Sequence, residues 1–271
     1  MEVGVRFFKG IAMPPAPYHF IVRAKSRTYL IMGRILHRLW KKLSTVVLNF
    51  LFPVECMRCG SEEDWLCKKC LGEVPRETRL ACFTCRKQAT DGKFCDDCRK
   101  GKTLLGIHAV APYASEVLRD AIAALKYRNI TVLAKPLAIL FEQFMEQWPF
   151  LFSDTTLFIP VPLHPKKMSD RGYNQSHLLL AHLLEARGKN VCGCWLLSRT
   201  RHTKQQVDCT REERLQNVRN AFRYAGPSQT SWPSVVLCDD VATTGSTLEA
   251  CAHALHAAGA RDVRALVLAR G

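Results

Sequence analysis

Four apolar residues in succession, Val235-Val236-Leu237-Cys238, read as a strand buried on both faces, and Asp239-Asp240 end the run. Small hydroxyl residues around Gly245 follow. Leu248, Cys251, Ala252 and Leu255 then recur at helical spacing, so a helix opens near Ser246. Apolar runs predict further strands at Leu105–Ala111 and Val263–Ala269, and one from Leu157 that runs into a proline-stiffened loop ending at Pro165. Helical periods span Ser115–Tyr127, about Val132 to Gln147, and Arg211–Asn220. Nearer the start, Ile31 to Phe50 forms an amphipathic helix that Pro53 ends. Leu36, Leu39, Trp40, Leu43, Val47 and Phe50 lie on one face, and Arg34, Arg38, Lys41 and Lys42 on the other. Its stripe either docks on the neighbouring domain, the simpler reading, or lies on an anionic membrane surface. The first 28 residues show no period and carry Pro14, Pro15 and Pro17. They read as a disordered extension, with Met32 a candidate start.

A chain of 271 residues has room for one medium domain and a small one. The formal charge of +15 favours polyanionic partners without naming one. No run of 18 apolar residues exists, which argues against a membrane span. Thirteen cysteines change the picture most, because eight of them form four C-x-x-C pairs: Cys56/Cys59, Cys67/Cys70, Cys82/Cys85 and Cys95/Cys98. One such turn places two thiolates on one side of a metal, and a second completes a tetrahedron. Four sulfurs leave no open position, so two structural Zn²⁺ ions are expected, in a double zinc ribbon. A redox dithiol is the alternative, but four pairs in tandem argue against it. Pairing within each repeat is the simplest scheme, and an interleaved one also fits. Thiolate–metal chemistry needs a reducing compartment, which places the protein in the cytoplasm. Cys192, Cys194, Cys209, Cys238 and Cys251 read as free thiols.

Two stretches suit anions. The turn Thr243-Thr244-Gly245-Ser246-Thr247 joins a strand to a helix N-terminus, where free N–H groups and the helix dipole favour negative charge. An ordinary strand–turn–helix corner would explain the turn but not the two acids before it. The second stretch follows the Leu157 strand. His164, Lys166, Lys167 and Arg171 lie in a loop suited to a pyrophosphate, or form a solvated basic edge. No G-x-x-x-x-G-K-[ST] occurs, so no P-loop competes.

The sequence VVLCDDVATTGSTL resembles the phosphoribosyl pyrophosphate (PRPP) motif of type I phosphoribosyltransferases. With the zinc knuckles it is joined by ALKYR, IPVPLHPKKMSDRGYNQS, an R-x-R-x-T-x-x-Q run at Arg199–Gln206, and R-x-x-N-V-x-x-A-F at Arg214–Phe222. Together these resemble the ComF family, from roughly residue 45 to the end. The resemblance implies an α/β, type I phosphoribosyltransferase fold, a mostly parallel sheet flanked by helices, with an N-terminal double zinc ribbon. The implied domains are an extension over 1–30, the amphipathic helix over 31–53, the ribbons over 54–103 and the phosphoribosyltransferase domain over 104–271. It also implies PRPP with Mg²⁺ as ligand. Asp239 and Asp240 would meet the ribose hydroxyls as catalytic residues, Thr243–Thr247 would hold the 5′-phosphate, and pyrophosphate would sit at His164–Arg171. The family is associated with natural competence, acting on imported single-stranded DNA beside a helicase-like ATPase, in the cytoplasm or peripheral to the inner membrane face. A non-catalytic module that binds nucleotides or single-stranded DNA in the same pocket is the other reading. Basic residues interleaved with Tyr127 and Tyr173 suit it, since phosphates meet cations and bases stack on rings.

Overall fold

Alternate residues of the apolar strands feed two different cores. The computed structural model describes residues 53–62, 64–188, 193, 195–200, 221–228 and 232–271. The N-terminal extension, the helix expected before Pro53, the helix expected at Arg211–Asn220, Cys192, Cys194, Cys209, and most of the Arg199–Gln206 run lie outside them. From Val54 to Gly271 the chain forms one compact unit.

In chain order the elements are α1 (Lys68–Gly72), α2 (Asp96–Arg99), β1 (Ile107–Pro112), α3 (Glu116–Tyr127), α4 (Ala134–Gln147), β2 (Leu157–Pro160), α5 (Pro165–Arg171), α6 (Gln175–Ala186), β3 (Leu197–Arg199), β4 (Phe222–Tyr224), β5 (Val235–Ala242), α7 (Ser246–Ala257) and β6 (Val263–Arg270). A four-stranded sheet has the order β1-β6-β5-β2, with every pair parallel. The expected α/β architecture with a mostly parallel sheet is therefore present, with β3 and β4 as a separate antiparallel pair.

Side chains alternate across a strand, so each strand serves both faces. Val236, Cys238, Leu266 and Leu268 join Leu118, Phe141 and Leu180 of α3, α4 and α6. Val235, Leu237, Ala265 and Val267 join Leu248, Ala252 and Leu255 of α7. The two cysteine repeats divide between these cores. Cys56, Leu66, Cys70 and Leu71 pack into the first, while Cys82, Phe83 and Phe94 pack into the second. The repeats thus straddle the outer strand β1. The Glu77 N–H donates to the Val110 carbonyl at 2.9 Å, and the Phe94 N–H to Leu105 at 2.9 Å, so backbone from the cysteine segment covers an edge that would otherwise be open.

Two elements depart from the sequence pattern. The strand expected to stop at the acids continues as β5 to Ala242, because its ladder to β6 pairs Asp239 with Val267 and Ala242 with Arg270. The basic stretch expected as a loop is the helix α5. His164 caps it, its Nδ1 accepting from the Lys166 N–H at 3.1 Å. Pro165 stands in the first turn, where its fixed φ fits, and Gly172 ends the helix at φ 80°.

Candidate functional site

Parallel strands put their carboxyl ends on one edge of the sheet, where α/β proteins bind ligands. Asp239 and Asp240 lie near the end of β5, and Thr243-Thr244-Gly245 carries the chain into α7. Gly245 has φ 76°, a left-handed conformation that a Cβ would strain. The Ser246 N–H donates to Thr244 Oγ1 at 3.3 Å, and the Thr244 hydroxyl reaches Ser246 Oγ at 3.2 Å. Thr243 and Thr244 are exposed, and Ser246 and Thr247 half-buried. The turn thus presents hydroxyls and a helix N-terminus to solvent.

The two acids differ. Asp240 is buried and its carboxylate meets Lys126 Nζ of α3 at 2.8 Å. No aligned hydrogen bond satisfies that oxygen, so the contact is a charge–charge one. Asp239 keeps some exposure. Its Oδ1 accepts from the Ser176 hydroxyl at 2.7 Å and from the Asp240 N–H at 2.9 Å. Burial, then the neighbouring Asp240 charge, push the Asp239 carboxyl up to about 7, against the pull of Ser176, the Asp240 N–H and Lys126. Ser176 opens α6, whose cap Asn174 accepts from the Ser176 N–H at 3.0 Å and donates to the Val161 carbonyl at 2.9 Å. Lys126 and Ser176 both stand inside quoted motifs, yet the sequence gives them no role. Only the fold turns both toward the acids.

The basic stretch reaches the same edge. Val161 donates to the Cys238 carbonyl at 2.9 Å, so the chain leaving β2 starts beside the acid pair. Lys166 and Lys167 are exposed on α5. Arg171 is half-buried, hydrogen-bonded to Gln175, with its guanidinium 5.7 Å from the centre of the Tyr127 ring. Tyr127 is 77% exposed. Tyr173, expected beside it as a stacking ring, is half-buried with its hydroxyl donating to the Leu125 carbonyl. Arg199, the first residue of the R-x-R-x-T-x-x-Q run, is half-buried in β3 with its guanidinium 5.3 Å from the Phe222 ring.

The eight cysteines form two groups within the repeats, Cys56/Cys59/Cys67/Cys70 and Cys82/Cys85/Cys95/Cys98, each with its sulfurs within 4.8 Å of one another. The interleaved scheme is thereby excluded. A tetrahedral Zn–S bond of about 2.3 Å requires sulfurs about 3.8 Å apart. Cys59 and Cys67 stand at 3.7 Å, and Cys85 and Cys95 at 3.5 Å. The Cys67 N–H points at Cys56 Sγ and the Cys70 N–H at Cys67 Sγ, both at 3.5 Å, as suits thiolates. None of the eight is in a disulfide, and each group can hold a metal ion such as zinc. Cys238 and Cys251 are buried, and burial pushes both thiols up.

Residues 204–271 match the phosphoribosyl transferase domain. The chain is 29% identical over 230 residues to competence protein F of Haemophilus influenzae, covering 75% of this chain and 96% of that protein. It is 26% identical over 213 residues to competence protein ComFC of Streptococcus pneumoniae, covering 78% and 90%. With the DNA utilization protein YhgH of Escherichia coli O6:H1 it shares 31% identity over 220 residues, 79% of this chain and 88% of that one. Among the described residues no helix is long and apolar enough to cross a membrane. Similarity over most of both chains, together with the parallel sheet, the acid pair before the Gly245 turn and the two four-cysteine groups, leads to one assignment: the chain belongs to the ComF/YhgH family, with a phosphoribosyltransferase domain behind two four-cysteine clusters.

Proposed function

We propose that the chain binds PRPP with Mg²⁺ at the carboxyl edge of β5 and transfers its phosphoribosyl group, in the handling of single-stranded DNA. One observation carries the reading: two carboxylates stand near the end of a central parallel strand, ahead of a left-handed Gly245 turn and a helix N-terminus. Thr243–Thr247 hold the 5′-phosphate through N–H groups and hydroxyls. Asp239 and Asp240 accept from the ribose hydroxyls. Loss of pyrophosphate leaves positive charge on the ribose C1, and the acid pair favours that charge. Lys166, Lys167 and Arg171 meet the departing pyrophosphate, and Mg²⁺, arriving with PRPP, screens its charge. The two four-cysteine groups hold structural Zn²⁺, which suits a reducing, cytoplasmic setting. DNA enters through the relatives, named for competence and DNA utilization. A helicase-like ATPase is the partner the resemblance suggests.

A second reading keeps the pocket and drops the turnover. Tyr127 offers an exposed ring beside the cationic Arg171, the pairing that holds single strands by stacking and charge. Calorimetry of the wild type and of Asp239→Asn/Asp240→Asn, with PRPP–Mg²⁺ and with a short single strand, decides between them. Each lost charge-assisted acceptor is worth ~1.5–3 kcal/mol. The double variant should therefore bind PRPP at least about tenfold more weakly, while DNA binding holds or tightens as repulsion falls. A wild type that ignores PRPP sinks the transferase reading. DNA binding that collapses in the folded variant would put the acids in contact with DNA.

A further inference from the structure

A cleft of about 450 Å³ opens at the carboxyl ends of β1 and β6, walled by Glu77, Arg86, Pro112, Tyr113, Arg119 and Arg270. Three guanidiniums face one carboxylate, and that carboxylate is already engaged. Both Glu77 oxygens accept from Arg86 Nη2 at 2.8 Å. Arg270 lies over the Phe83 ring at 5.3 Å, and its buried Nε has no hydrogen-bond partner. Arg119 is exposed on α3, with the adjacent Asp120 at 3.9 Å. Among the lining residues, which do not include Asp120, the surplus is two positive charges, and one if a carboxylate at Gly271 is counted. Tyr113 and Pro112 supply an apolar wall beside the cations, and the volume is in the range of small-molecule sites.

The two cysteine repeats show that Arg86 is held there at a cost. The first repeat turns at Gly60, whose N–H donates to Cys56 at 2.9 Å with φ 70°. The second turns at the equivalent place through Arg86, whose N–H donates to Cys82 at 2.9 Å with φ 65°. A left-handed non-glycine residue is strained, and such strain persists where the surrounding structure holds it in place. Glycine suffices for the turn itself, as the first repeat demonstrates. What arginine adds is a guanidinium fixed by Glu77 on the wall of the cleft.

We propose that this cleft is a phosphate-binding site, separate from the Thr243–Thr247 turn, that takes the phosphate of a nucleotide, free or within a single strand. Planar guanidiniums match phosphate oxygens in a fork that lysines cannot provide. The cleft and the turn share a border, since Gly271 donates to the Ala242 carbonyl at 2.9 Å and a Cβ on it would lie 2.9 Å from Thr243 Cγ2. The inference does not require that PRPP bind at the turn.

The test uses the full chain with thymidine 5′-monophosphate, a short fluorescein-labelled deoxythymidine strand and PRPP–Mg²⁺ as three separate titrants. Arg86→Gly copies the first repeat and relieves the left-handed residue. Arg119→Gln alters an exposed helix surface. Together they should weaken the strand at least about tenfold, with the melting temperature near that of the wild type and PRPP binding unchanged. A parallel loss for the mononucleotide means the cleft takes free nucleotide, whereas loss for the strand alone means it takes nucleic acid. Wild-type affinity for both ligands in the double variant overturns the proposal. Should Arg86→Gly lower the melting temperature, Arg119→Glu alone decides, because a reversed charge on the rim must reduce binding, and unchanged affinity again overturns it.

Discussion

Lys126 Nζ stands 2.8 Å from the Asp240 carboxylate, tying the last turn of α3 to the acid pair of β5. The side chains are 19% and 4% exposed, so water screens the pair little. Lys126→Met leaves Asp240 without a counter-charge. Breaking a buried pair on one side costs ~3–5 kcal/mol, and the partial exposure of Lys126 puts the expectation at the lower end. Asp240→Asn in the same chain should recover most of it, since no charge is then left unpaired. Denaturant unfolding of the two single variants and the double measures the coupling. Equal loss in Lys126→Met and in the double would show that packing, not charge, is at stake.

PRPP affinity should depend on pH through Asp239. Its carboxyl is pushed up to about 7, first by burial. Below that pH it carries a proton and offers the ribose no charged acceptor. Affinity should rise as pH climbs from about 6 to 8. Ser176→Ala removes the hydroxyl that stabilises the carboxylate at 2.7 Å, so the midpoint should move upward. Calorimetric titration at several pH values reads both effects, and a profile flat in the wild type would remove Asp239 from ribose binding.

His108 of β1 gives a second pH effect, on stability. It is 4% exposed, packed against Phe144 and Phe152, with its Nε2 lacking a partner. Burial pulls its pKa down from 6.5 to about 4, with Arg264 adding to the shift and Asp91 opposing it. The unfolded chain therefore takes up a proton that the folded one refuses. His108 costs no stability above pH 6.5, and its penalty grows as pH falls toward about 4, reaching ~3 kcal/mol. Asp239 acts in the opposite sense, because the folded state holds its proton where the unfolded chain has lost it. That slope is common to the wild type and His108→Leu, so the difference between their stability–pH curves isolates His108. The variant should lose less stability than the wild type between pH 6.5 and 4.5, and parallel curves would contradict this.

Metal analysis of reduced, purified protein should return about two zinc ions per chain. Cys56→Ser should lose one. Because Cys56 and Cys70 pack in the same core as Leu118 and Phe141, the loss should lower the main unfolding transition and not create a separate early one. A strong chelator should act likewise. A transition unchanged after metal removal would show that the thiols need no ion.

What the sequence makes legible follows from how local each signal is. The turn at Thr243–Thr247 and the C-x-x-C pairs are set by short-range geometry, and both stand where the pattern puts them. The end of β5 escapes the pattern because hydrophobicity marks burial, whereas a strand persists as long as its backbone finds a ladder, here through Val267 and Ala269 of β6. The helix α5 escapes it because a histidine cap is an uncommon signal, although Pro165 and Gly172 bracket it in the expected asymmetry. Partners such as Lys126 for Asp240, or Glu77 for Arg86, depend on three-dimensional proximity, which no periodicity encodes.

The strand order β1-β6-β5-β2 also bears on how the molecule is made. Among the described residues, β6, the last strand, lies between β1, the first, and β5. Pairing of Ile107 with Ala265 closes a loop of most of the domain, a non-local contact of the kind that slows folding. During synthesis β1 and β5 must wait, each with an unpaired edge, until residues 263–270 emerge. Cysteine-segment backbone covers one side of β1 meanwhile, but nothing within this sheet can cover the other. The nascent chain should therefore engage chaperones late, and a ribosome stalled before Val263 should present an aggregation-prone intermediate, not a partly working domain.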